Sequence, residues 1–142
     1  MRRILIFTFL TGLSSAIFAQ HAGLSTREWE ILASRNELRP VKGKIIFPSK
    51  LMELNNQVID LPGYVIPVKT GSKFDTFMLS MVPMFSCPYC GSGNIPPMVE
   101  VHLLKSEVSA DSDIISVRGK LTINDSGNGK SEFVINNGRI VE

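Results

Sequence analysis

Two cysteines, Cys87 and Cys90, are the only thiols in the 142 residues, and they stand in a C-x-x-C. Around them, Phe77 to Met98 holds Pro83, Pro88, Pro96 and Pro97, which are four of the eight prolines. It also holds Met78, Met81, Met84 and Met98. Three chemistries fit this pair. A disulfide would staple the loop if the chain is exported, because oxidising compartments favour the bond. The pair is also half of a tetrahedral zinc or copper site, and thiolate with thioether from Met84 or Met98 suits Cu(I). The third is reversible thiol–disulfide exchange. His102, a weak candidate ligand, lies four residues after Met98, about 13 Å along an extended strand. It is expected to point away from the core together with Glu100. Pro83, Pro88, Pro96 and Pro97 stiffen the loop, while Gly91 and Gly93 allow the tight reversal that brings Cys90 back toward Cys87.

Cys87-Pro-Tyr-Cys90 is, letter for letter, the glutaredoxin active-site tetrapeptide. That mechanism needs the first cysteine at a helix N-terminus, where the dipole lowers its pKa. Here Gly91, Gly93, Pro96 and Pro97 follow within seven residues of Cys90, so a helix is not expected to start there. Other catalytic signatures are absent: no G-x-S-x-G, no phosphate-binding loop, no paired histidine and acid at ligand spacing. Glu107, Asp111 and Asp113 read as a solvated face. Asp125 with Asn128 reads as a turn, because the stretch lacks the alternating acids of a calcium loop.

The elements that must hold the loop are short strands. Ser25-Thr-Arg-Glu28 is a capping-box pattern that predicts a helix over Thr26 to Asn36, with Trp29 as its packing anchor. Arg39-Pro40 ends it. From Lys42 the period changes. Gln57 to Val68 is β-rich but expected to break at Pro62-Gly63. Phe74 to Val82 and Val99 to Leu104 flank the cysteine loop. Lys105 to Asp113 reads as irregular. Ile114 to Ile123 and Phe133 to Val141 are the last strands, joined by the Asn124–Gly129 turn cluster. Val58, Val65, Leu79, Val101, Val117, Leu121 and Ile135 are expected to share one core. The fold class is all-β with small α content: an N-terminal helix and an OB-like, five-stranded Greek-key barrel. A β-sandwich is the alternative.

Three regions follow. Residues 1–19 read as a secretory signal peptide, with Arg2 and Arg3, the apolar run Ile4 to Phe18, and Ala19 before Gln20. Residues 20–41 are the helix and linker, and 42–142 the barrel. Loss of Arg2 and Arg3 leaves 13 basic residues against 13 acidic ones. Neither nucleic acid nor stable membrane insertion is therefore expected, and the place expected is the periplasm or outside the cell.

Gly63-Tyr-Val-Ile-Pro67, Phe77-Met-Leu-Ser80, Pro83, Cys87-x-x-Cys90-Gly91, Pro97-x-Val-Glu-Val101 and Val117-x-Gly-Lys-Leu121 with Asn124 follow one another in order. The pattern, over roughly residues 57–124, resembles a family of exported bacterial proteins known as a domain of unknown function. This chain departs from it in carrying Asn94-Ile95 where relatives have small or acidic residues. The resemblance implies an OB-like fold and a place near metal-responsive or permease-linked transport systems. The expected role is an exported cell-envelope binding or accessory module. It would be linked to zinc or copper and would partner an envelope protein or transport-system component, and the residues name no catalytic group for it. The competing roles are a periplasmic thiol–disulfide oxidoreductase and a structural interaction domain with a stapled loop.

Overall fold

The computed structural model describes residues 24–39, 41–42, 45–83 and 96–141. The expected signal peptide lies outside the described residues, as do Met84, Cys87, Pro88, Cys90, Gly91 and Gly93. Helix α1 (Arg27–Ala33) runs into a 3₁₀ turn (Ser34–Glu37), and a single turn, α2, covers Ser49–Met52. The strands are β1 (Val58–Pro67), β2 (Lys73–Phe74), β3 (Thr76–Ser80), β4 (Met98–Leu103), β5 (Val108–Ser109), β6 (Ile114–Ile123) and β7 (Phe133–Val141). Five of them close a barrel in the order β1-β3-β4-β7-β6, and β2 pairs with β5 in a separate ribbon. All barrel pairs are antiparallel except β4 with β7. This is the expected OB-like barrel, and its closure sets the sandwich aside.

Strand β1 is continuous, which corrects the expected break at Pro62-Gly63. It pairs with β6 from Val58 to Tyr64 and with β3 from Tyr64 to Pro67. Before Tyr64 one side of β1 therefore has no strand beside it. In an extended chain the N and C=O of one residue point to the same side. The Pro62 carbonyl accepts the Trp29 Nε1–H at 2.7 Å, so the N–H that proline lacks faces α1 and costs no ladder bond. Gly63 is set by close approach: a Cβ there would lie 2.4 Å from Leu79 Cγ and 3.0 Å from the Ser80 carbonyl oxygen.

Alternation then decides which β1 side chains enter the core. Ile59 and Leu61 are buried, whereas Val58, expected inside, is 68% exposed. Val58 shares its face with Asp60, whose carboxylate receives Arg118 in a two-pronged contact at 2.5 and 2.6 Å. A period of two cannot put Asp60 in water and Val58 in the core. Val65 is half-buried against the core, and Leu79, Val101, Val117, Leu121 and Ile135 are fully buried.

Three further expectations need correction. The run Phe74 to Val82 is broken at Asp75: Phe74 belongs to the small ribbon and only Thr76–Ser80 to the barrel. The stretch Lys105 to Asp113 contains β5, with Val108 buried opposite Phe74. The N-cap is Thr26, whose Oγ1 accepts the Trp29 amide at 3.3 Å. Ser25 instead donates its hydroxyl to Glu30.

Trp29, Ile31 and Leu32 of α1 and Leu51 of α2 belong to the same buried cluster as the inward strand residues. The Leu24 amide donates to the Met81 carbonyl at 3.3 Å, which ties the start of the described chain to the end of β3. No helix among the described residues is long and apolar enough to cross a membrane.

Candidate functional site

Strands β3 and β4 are the stems of the cysteine loop, and their register lays out one outer face. Thr76 stands opposite His102, Met78 opposite Glu100, and Ser80 opposite Met98. Between these rows Phe77, Leu79, Val99 and Val101 point inward and are fully buried. The face is therefore held by its own reverse side, which fixes the backbone without help from the loop.

Beside Met98 lies a cleft of about 530 Å³. It is lined by Met78 of β3 and Met98 of β4. One wall is Pro96 and Pro97, the arm by which the loop returns to β4. The rest of the lining is Ser131, Glu132 and Phe133, at the start of β7, and Arg35, Asn36 and Arg39 after α1. Pro97 is buried and Pro96 half-buried, so this end of the loop is anchored in the barrel.

Two polar links hold the walls. Arg35 grips Glu132 with Nε at 2.5 Å and Nη2 at 2.6 Å. That hydrogen bonding holds the Arg35 pKa above its ordinary value, against a smaller opposing effect of burial. The second link is a chain of side chains. Ser131 donates its hydroxyl to Glu100 Oε2, and Glu100 Oε1 meets His102 Nε2 at 2.9 Å. His102 Nδ1 lies 3.4 Å from Thr76 Oγ1. Both ring nitrogens of His102 are thus engaged. The ring sits two rungs beyond Met78, at the end of β4 away from the loop.

Among the candidate residues, the fold brings Met98, Pro96 and Pro97 into the cleft and leaves His102 outside it. Pro83, on the leading arm, lines a different hollow of about 320 Å³ with Tyr64, Val65, Pro67 and Asp113. No group of three or more His, Cys, Asp or Glu stands at metal-binding distance among the described residues. Met78, Arg35, Ser131 and Phe133 are site residues that sequence reasoning missed. The signal for Met78 was available: it sits an even number of positions from Thr76 and so shares the outer face once the strand is assigned. The other three are brought in by tertiary contacts between segments about 95 residues apart, which no local pattern carries. No family model, curated protein or solved structure matches the chain.

Proposed function

We propose that the protein is a cell-envelope binding or accessory module that presents the Cys87–Cys90 loop from the outer face of an OB-like barrel. The loop binds a soft or borderline metal, zinc or copper, on behalf of an envelope or transport-system partner. The observation that carries this reading is the anchoring of the loop's returning arm. Pro97 is buried, Met98 opens β4, and both line a cleft whose other wall belongs to β7. A scaffold so closed and so fully packed behind β3 and β4 supports a loop that serves binding rather than stability. Cys87 and Cys90 supply thiolates, and Met98 is the flanking thioether that lies in the cleft. His102 already has Glu100 and Thr76 as partners, so it would have to exchange one of them to act as a ligand.

The test is thiol titration of purified protein before and after denaturation, with metal analysis of the same sample. The expected result is about one zinc or copper per chain, with thiols that react only after chelation. Two free thiols without metal overturn the reading. A disulfide without metal favours the stapled interaction domain, and a pair that cycles readily with a thiol buffer favours the oxidoreductase. Mass spectrometry of the N-terminus tests export: the mature chain is expected to begin near Gln20.

A further inference from the structure

We propose that Met78 and Met98 form a two-thioether site for a soft monovalent cation, with Cu⁺ as the ion their chemistry selects. The other positions on this side of β3 and β4 are polar: Thr76, Glu100 and His102 are partly exposed, and Ser80, opposite Met98, is buried. The two exceptions are both methionine, and both line the same cleft. Met78 is opposite Glu100 and Met98 opposite Ser80, so the two are diagonal neighbours across the β3–β4 ladder. Such neighbours stand about 7–8 Å apart at the backbone, within reach of two long unbranched side chains. Each is half-buried, so its sulfur is sheltered but reachable. Met52 and Met81 differ, since both pack against the core.

A plain filler for an exposed β position would be β-branched or aromatic. Methionine instead brings a polarizable sulfur. Two neutral thioethers select a soft d¹⁰ monovalent ion and offer little to Zn²⁺, which takes thiolate, imidazole or carboxylate. The surrounding charges permit a cation. Glu100 is directly opposite Met78, and Arg35 is neutralised by Glu132. Arg39, which also lines the cleft, keeps its charge but directs its guanidinium to the carbonyls of Asn36 and Leu38.

The inference deepens the proposed function by naming the ion, and it rests on that reading only for the ion's purpose. The experiment therefore removes the cysteines. The full chain carrying Cys87→Ser and Cys90→Ser, with methyl-labelled methionine, is titrated with Ag⁺ as a redox-inert probe and with Cu⁺ against a chromophoric chelator. The methyl signals of Met78 and Met98 are expected to shift and those of Met52 and Met81 to stay. Loss of even a supporting partner of a metal ligand costs about 10–100-fold in affinity. Met78→Leu or Met98→Leu is therefore expected to weaken Ag⁺ binding roughly tenfold or more, while Met81→Leu leaves it unchanged. Met→Leu conserves volume, so the barrel should persist, and the methyl shifts test the site without those substitutions. A Met78→Leu, Met98→Leu double variant that binds Ag⁺ as tightly as its parent overturns the site. Metal-free wild-type protein with shifting methionine methyls would sink the proposed function and leave the site standing.

Discussion

At the scale of single residues, two positions decide more than their size suggests. Gly63 lets β1 and β3 approach until a methyl group no longer fits, with Leu79 Cγ 2.4 Å from where it would stand. Gly63→Ala is expected to lose about 1–3 kcal/mol, the usual cost of overpacking a close contact, read as a lower urea midpoint. Asp60 acts through charge. Its hydrogen bonds from Arg118 hold its carboxyl below the ordinary 3.8. A carboxyl depressed by folding stabilises the fold above its unfolded pKa, and that contribution is lost as pH falls through the folded value. Asp60→Asn should therefore lower stability slightly above about pH 4, by the small amount usual for exposed pairs, and its stability curve should converge with the parent's as pH falls through the folded value. The pair has a local purpose as well. Arg118 lies directly opposite Arg139 across β6 and β7, and Asp60 neutralises one of these like charges.

Elements were legible to the degree that their pattern is local. Strands β6 and β7 were read at the bounds they have, because alternation over nine or ten residues needs no outside information. Pro62 misled for a physical reason: proline breaks a ladder only where its missing N–H faces a neighbouring strand, and here it faces α1. Val58 was misplaced because its apolar character was weighed without the charge two positions on. The parallel pairing of β4 with β7 was invisible, since a period of two tells which face a residue takes and not which strand lies beside it. The same limit hid the cleft, whose lining comes from β3, β4, the segment after α1 and the start of β7, while the loop chemistry stood open in Cys87 and Cys90. The helix start offers a direct check. Thr26 caps the Trp29 amide and Ser25 does not. Thr26→Ala should cost about 1 kcal/mol, and Ser25→Ala should fall within about 0.5 kcal/mol of zero. Equal losses in thermal unfolding would return the cap to Ser25.

At the scale of the whole molecule, the cysteine loop and the barrel should separate experimentally. The stems carry Phe77, Leu79, Val99 and Val101, all fully buried, and a bond between cysteines three apart would close only a very short ring, with little entropic effect. Cys87→Ser with Cys90→Ser should therefore keep far-UV circular dichroism and cooperative unfolding, with a midpoint shift of a few degrees at most. Outright unfolding would make the pair a structural staple or a structural metal site. The connectivity of the barrel has a kinetic consequence too. Strand β7 is the wedge that closes it, bonded to β4 on one side and β6 on the other. Its rung to β4 joins Glu100 to Val134, and β1 meets β6 through Val58 and Lys120. Contacts so distant along the chain form slowly, on a time of about milliseconds to seconds. Throughout that time the flanks of β4 and β6 are bare, with backbone donors and acceptors open to any passing strand. A chain ending before Phe133 is expected to stay in that condition, associating in light scattering and lacking a sharp urea transition. Strand β7 thus keeps the rest of the barrel from pairing with its neighbours.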